Sequence, residues 1–528
     1  MRSLSEATFH NPFVDALPGD PGTRVESRFT PHVCFSRVSP TPSPHPSLII
    51  ASEEVAHALG LSWPFKEEDV KILSGSLVPP SSKPYALCYG GHQFGHWAGQ
   101  LGDGRAITLG ALKDLNGKEE DELQLKGVGR TPYSRTADGK AVLRSSVREF
   151  LASEAMHHLG VPTTRALALI DTGENVLRDM FYDGNPRAEP GAVVARVSPC
   201  FLRFGNFEIL AAQSDQKIML ELLDWILERH FPHLKDKGEK RISLWFKEVC
   251  ARTAFLIAQW LRVGFVHGVM NTDNMSLLGE TIDYGPYGWL EEYDPSWTPN
   301  TTDLPGRRYC FGRQAPIALW NLECLAAALN VLPGHEEDLQ EGLLFFRQRF
   351  EKEFLEMMAR KLGIASLGET EDTDFLRRLD EVMQNLHVDM TLFYRKLSEW
   401  DPRRTPGENQ RALEDLVETC YTPPSAKNLG DLEMWLESYA EKILRAPQEM
   451  EERRQRMNRA NPKYILRNSM AFLISRQLEE KKDDTLLKEI FAVLKNPYDE
   501  QSALEKWAQK RPAWAAEQPG SSTLSCSS

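Results

Sequence analysis

The stretch from His267 to Gly285, HGVMNTDNMSLLGETIDYG, sets Asp273 beside Asn274 and places a further carboxylate, Asp283, ten positions after Asp273. MSLL and TIDY are short apolar runs on either side of Gly279-Glu280, and a Gly-X pair between such runs predicts a two-residue hairpin turn. Pairing about that turn sets Leu278 opposite Thr281 and Ser276 opposite Asp283, and Asn274 shares the face of Ser276. Asn274 and Asp283 are then diagonal neighbours, about 7–8 Å apart at Cα, so their oxygens can meet on one hard cation. Asp273 precedes the ribbon, so strand parity leaves it free to face a substrate. Two groups for a metal, plus a separate carboxylate to take a proton from an attacking hydroxyl, suit phosphoryl or nucleotidyl transfer. Tyr284-Gly285 strengthens that reading, because kinase-like metal sites carry Asp-aromatic-Gly there. The plainer alternative is a polar hairpin end with self-satisfied Asx turns.

Such a site needs groups that hold an anion. YGGHQFGHWAGQLGDGRAITLG, residues 89–110, contains seven glycines. His92 and His96 are spaced i, i+4, as in helical zinc sites, but Gln93 supplies no general base and Gly95 weakens a helix, so that zinc reading is set aside. Gly102-Asp103-Gly104-Arg105, leading into the strand AITLG, fits better: glycines let backbone N–H groups approach phosphate, and Arg105 adds a charged donor. In ELQLKGVG, residues 122–129, Leu123 and Leu125 face a core while Gln124 and Lys126 face the other way. The turn Asp138-Gly139 and the helix VLRSSVREFLASEAMHHLG follow, the helix stopping at Gly160 with Pro162 beyond. Glu149 and Glu154 lie about 140° apart on that helix, so only one can turn inward to Lys126. A buried strand lysine paired with a helix glutamate is how a kinase-like site fixes a phosphate-binding lysine. Arg196 on the strand VVARV and Arg203 after the Pro199 turn would give bidentate contacts beside a triphosphate.

Stepping out to the whole chain, 528 residues with 41% apolar content make an ordinary globular composition with room for two to four domains. A net charge of −13 disfavours nucleic acid or an anionic membrane as the main partner. No apolar run is long enough for a membrane span, and the first residues, with Glu6, Asp15 and early prolines, resemble neither a signal nor a transit peptide. Eight scattered cysteines without a CxxC pattern read as reduced thiols, so a cytoplasmic monomer is expected. Composition divides the chain into a Pro-rich arm wrapped on the body (1–79), a Gly-rich β lobe with one key helix (80–205), a lobe carrying the metal hairpin (206–345), a charged helical extension (346–515) and a flexible tail (516–528).

LGDGRA, LQLKGVGRTPYSRTADGKAVLRSSVREFLASEAMHHLGVPTTR, RFGNFEI, VGFVHGVMNTDNMSLLGETIDYGPYG and NPKYILRN strongly resemble the selenoprotein O (bacterial YdiU-type) family, from about residue 10 to the C-terminus. The resemblance implies an α+β, protein-kinase-like two-lobed fold. It implies transfer of AMP from ATP to Ser, Thr or Tyr hydroxyls of acceptor proteins with release of diphosphate, with ATP lying in a flipped orientation. UMP transfer from UTP with Mn²⁺ is also attributed to bacterial members. On the matching positions it implies nucleotide contacts at Gly102, Gly104, Arg105, Lys126, Asp138, Gly139, Arg196, Arg203 and Asp283. It implies a proton acceptor at Asp273 and Mg²⁺ or Mn²⁺ ligands at Asn274 and Asp283. Glu149 is the expected partner of Lys126, with Glu154 the fallback. Some relatives end in Cys-x-x-Sec or Cys-x-x-Cys; here Thr523 stands three residues before Cys526, so a local tail disulfide is impossible. The rival readings are a kinase-like γ-phosphotransferase and a non-catalytic nucleotide-binding scaffold.

Overall fold

The protein was analysed as a computed structural model that describes residues 1–114, 116–117, 120–181, 183–445 and 448–525. Cys526 lies outside these residues. Runs rich in Leu, Val, Ile and Ala between residues 85 and 198 lack a helical period and form strands buried on both faces. In chain order the strands are β1 (Gly19–Asp20), β2 (Phe35–Arg37), β3 (Ser47–Ala51), β4 (Tyr85–Tyr89), β5 (His92–Gln93), β6 (His96–Trp97), β7 (Leu101–Gly102), β8 (Ala106–Lys113), β9 (Glu120–Lys126), β10 (Ala141–Val142), β11 (Arg165–Arg178), β12 (Arg187–Ser198), β13 (Phe265–Val266) and β14 (Gly288–Trp289).

One sheet of ten strands follows the order β1-β2-β4-β8-β9-β12-β11-β3, with β7 added on β4 and β10 on β12. The 1–79 segment, expected as an arm wrapped on the body, contributes β1, β2 and β3 to this sheet. β3 pairs with β11 at one edge, and β2 pairs with β4 towards the other. Register puts Lys126 beside Val194 and Ala106, and Gln124 beside Arg196 and Thr108, so one face of the central strands carries a row of polar groups. Helix Leu143–His158 packs on β11 and β12 and turns Glu149 towards that row. Its end is set by Gly160, whose φ of +74° suits a residue without Cβ.

From residue 204 onward the fold is mainly helical. Asp215 caps helix Gln216–His230 by accepting from the Ile218 N–H at 3.1 Å. Helix Arg241–Val263 buries Trp245, Phe246, Ile257 and Trp260 and ends at Gly264. Together with the sheet these helices form a continuous core. The mixed α+β class expected from the sequence is what the chain adopts.

A second core lies mainly among the helices from Met357 onward, joined by Val266, Leu290, Tyr293 and Phe311. Trp435 stacks on Phe375 and on Tyr439, with ring centroids 5.2 and 5.0 Å away, and these two rings also meet each other. Arg453, 1% exposed, ties this core together through Asp401 at 3.0 Å and the Tyr439 hydroxyl at 3.0 Å. The tail, expected to be flexible, is laid down as far as Ser525: Leu524 is buried, and its carbonyl accepts from Thr301 N–H at 2.8 Å. An apolar side chain with a groove to enter outweighs the polar composition around it.

Trp435→Ala removes the ring that both Phe375 and Tyr439 stack on and should cost about 3–5 kcal/mol. The expected readout is faster amide exchange along helix Ala426–Leu444, with exchange in β8 and β9 unchanged.

Candidate active site

Lys126 ends β9, and its Nζ lies 2.7 Å from Glu149 Oε2 and in contact with Asp283 Oδ1. Arg196, one strand over, reaches the same two carboxylates, at 2.9 Å from Glu149 and 3.3 Å from Asp283. Its Nη1 also donates to the Ile282 carbonyl at 3.2 Å, and its Nη2 donates to Gln124 Oε1. Two cations and two carboxylates therefore alternate, with Lys126, Arg196 and Glu149 buried and the Asp283 side chain 24% exposed. Burial pushes the Asp283 carboxyl up, but Lys126, Arg196, Arg203 and Arg105 outweigh it and hold the group well below the usual carboxylate range. Glu154 points elsewhere: it accepts from Arg165 Nε at 2.7 Å, Ser52 Oγ at 2.8 Å and the Ala166 N–H at 3.2 Å.

The segment 274–283 departs from the expected hairpin. Its two arms do not form a ladder with each other. Ser276 bridges to Arg203 and Thr281 to Thr163. Phe204 N–H donates to Met275 O at 3.0 Å, Leu277 N–H to Leu202 O at 3.2 Å, and Thr281 N–H to Pro162 O at 2.9 Å. The backbone groups that a hairpin would use are already taken by segments distant in sequence, so strand parity about Gly279-Glu280 does not set the side-chain directions. Asn274 and Asp283 nevertheless reach one cleft from separately anchored arms.

Asp273 lies in the single 3₁₀ turn Thr272–Asn274. Arg203 holds that turn from beneath, its Nη1 donating to the Asp273 carbonyl at 2.8 Å. The Arg203 guanidinium sits 4.9 Å from the Tyr89 ring centroid and 3.7 Å from Asp103. Asp273 Oδ2 accepts from Gln93 Nε2 at 3.1 Å, while Oδ1 is buried without a partner. Burial pushes the carboxyl up to about 6, against the lowering effects of Gln93 and Arg203. Gly91 backs onto this carboxylate: a Cβ there would stand 2.7 Å from Oδ1.

A cleft of about 770 Å³ opens over these groups, lined by Gly102, Gly104, Arg105, Asp138, Gly139, Asp273, Asn274 and Asp283 among others. Lys126, Glu149, Arg196 and Arg203 form the buried layer behind it. Asp138 is held by Arg178 at 2.6 and 2.8 Å and by the Lys140 N–H at 2.9 Å. Gly139, at φ +72°, presses on the Gly129 carbonyl, where a Cβ would come within 2.1 Å. Asn274 Nδ2 is tied to the Val269 carbonyl at 2.9 Å, and its Oδ1 is 3.5 Å from Arg203 Nη1. The amide oxygen of Asn274 and the ionised carboxylate of Asp283 are hard oxygen donors of the kind that Mg²⁺ or Mn²⁺ takes.

Several residues of the site carry little sequence signal. Gln124 bridges Arg196, Thr108 and Asp103, and Asp103 accepts from the Leu87 N–H at 3.1 Å. Asn271 accepts from Phe94 N–H at 3.2 Å and the Tyr309 hydroxyl at 2.6 Å. Gln93 sits between glycine-rich turns that bring β5 over Asp273, and that glycine density is the one hint the sequence offers.

Comparison with known proteins agrees with this chemistry. A family model described as protein adenylyltransferase SelO matches residues 24–495. The protein nucleotidyltransferase YdiU of Nitrosospira multiformis is 50% identical over 550 residues, covering 99% of this chain and 97% of that protein. The proteins of the same name from Methylobacillus flagellatus and Rhodopirellula baltica are each 50% identical, over 529 and 542 residues, with 99% of this chain covered and 100% and 99% of theirs. The chain belongs to the protein adenylyltransferase SelO family and is a nucleotidyltransferase.

Proposed function

We propose that this enzyme transfers AMP from ATP to Ser, Thr or Tyr hydroxyls of acceptor proteins, and that UTP can serve as a second donor for UMP transfer. The observation that carries the proposal is the Asp273 carboxylate: one oxygen is fixed by Gln93, and the other is buried and unpartnered at the cleft. A group placed so can accept the proton of an attacking hydroxyl. The acceptor oxygen forms a bond to the α-phosphorus, the bond from that phosphorus to the bridging oxygen breaks, and diphosphate leaves. Asp273 takes the hydroxyl proton. Lys126 and Arg196, pre-paired with Glu149 and Asp283, form a fixed positive layer behind the phosphates, and Arg105 adds charge at the cleft wall. The turns at Gly102, Gly104 and Gly139 bring backbone close to the nucleotide, with Asp138 at the same wall. Asn274 and Asp283 hold Mg²⁺ or Mn²⁺, which supplies neutralising charge on the phosphates.

In this reading the sheet with helix Leu143–His158 is the first lobe of a protein-kinase-like fold, and the helices after residue 204 begin the second. The cleft lies between them, and the helices after residue 346 are an extension. The family and the names of its relatives favour α-phosphate over γ-phosphate attack. Among the described residues no helix is long and apolar enough to cross a membrane.

Parallel reactions with α-labelled and γ-labelled ATP and an acceptor protein test the proposal. Label on protein from the α position alone is expected; γ label on protein would refute AMP transfer. Asp273→Ala should lower kcat by about 10²–10⁴ while leaving nucleotide binding in place. Because Asp273 must be ionised to act, kcat/KM should climb with pH up to about 6 and flatten above it. Asn274→Ala should raise the Mg²⁺ concentration needed for half-maximal rate by about tenfold or more, read by metal titration at fixed ATP.

A further inference from the structure

Behind the cleft, three side chains of metal-ligand type converge from three separate elements. They are His92 on β5, Glu208 on helix Phe204–Ala212 and Cys324 on helix Gln314–Leu329. One ligand atom from each lies within 4.8 Å of the other two. A zinc ion at about 2.0–2.3 Å from N, O and S ligands in tetrahedral array needs those atoms roughly 3.3–3.8 Å apart, which side-chain rotation within that envelope supplies. His92 Nδ1 already touches Glu208 Oε1 at 2.6 Å. Glu208 is 4% exposed, and its carboxylate is within hydrogen-bonding reach of the Thr272 hydroxyl as well as the His92 ring. The Cys324 thiol has no disulfide and no hydrogen bond among the described residues. His96, whose spacing from His92 suggests zinc in the sequence, is exposed on β6 and takes no part.

A simple His–Glu ion pair accounts for only part of this. It gives no role to the Cys324 thiol beside the pair. A carboxylate, a thiolate and a neutral imidazole carry two negative charges, so a divalent ion closes the balance in this half-buried site. Arg308, stacked 4.5 Å over Trp320, adds positive charge nearby that favours the ionised form of the Cys324 sulfur.

We infer that His92, Glu208 and Cys324 form a zinc site with three protein ligands and one open position, which pins β5 over the Asp273 turn. Zinc displaces the thiol proton of Cys324 to solvent and takes the sulfur, one imidazole nitrogen and one carboxylate oxygen. The link to the turn is direct: His92 N–H donates to Thr272 Oγ1 at 2.7 Å, and the adjacent Gln93 is the donor to Asp273. The site is separate from the oxygen-donor pair Asn274 and Asp283, and its test does not depend on nucleotidyl transfer.

The probe is Co²⁺ added to the full chain after chelator treatment, with Mg²⁺ in excess to occupy oxygen-only sites. A thiolate-to-cobalt charge-transfer band is expected, bleached by Zn²⁺ and absent in Cys324→Ser. His92→Ala should weaken cobalt affinity about tenfold or more. No band at saturating cobalt, or a band that persists in Cys324→Ser, overturns the site. Amide exchange in residues 92–97 should slow when Zn²⁺ is bound to the wild-type chain but not to Cys324→Ser; equal exchange with and without zinc overturns the pinning.

Discussion

Four buried or half-buried charges, Lys126, Glu149, Arg196 and Asp283, hold the site together. Each carboxylate touches both cations, so none of the four can move without stranding another in a dry interior. The arrangement joins β9, helix Leu143–His158, β12 and the segment after Ile282, four pieces of chain that share no local sequence contact. Its direct contribution to stability is modest once desolvation is counted, but breaking it is costly, and that asymmetry gives one allowed geometry. Strand register, the helix's rotation on the sheet and the position of the Asp283 arm are all set by the same contacts.

The turn that carries Asp273 has a second, independent support. Arg203 grips the Asp273 carbonyl from below, and Gln93 grips its side chain from above. The carboxylate is fixed in direction while one oxygen stays unsatisfied, which is a small local cost held in place by the surrounding hydrogen bonds. Lys126, Arg196, Arg203 and Glu149 lie in the buried layer behind the cleft, and Asp273, Asn274 and Asp283 line the cleft itself.

Much of this was legible in the sequence because it rests on local rules. Alternation in ELQLK separated Leu125 from Lys126, and the helical wheel separated Glu149 from Glu154. Which glutamate turned inward was left as a choice with a fallback, because the rotation of a helix about its axis is decided by what packs against it; Arg165 and Ser52 occupy Glu154. The 274–283 segment was misread as a hairpin for a related reason. Its apolar runs and Gly279 satisfy the hairpin rule, but residues 162–164 and 202–204 compete for the same backbone groups and win. Gln93, Asp103, Gln124 and Asn271 gave little warning, since polar residues in glycine-rich or alternating stretches usually face water. Leu524 was hidden by the polar, small-residue composition of the tail.

The first 79 residues supply strands near both borders of the large sheet, and this constrains how the protein is made. β3 waits for β11, whose residues are more than a hundred positions later in synthesis, and β2 waits for β4. On the ribosome, the segments that become these border strands have no partner until residues 85–178 have emerged. Pairings of such long separation form slowly. In that interval the unpaired segments offer edges on which chains can aggregate.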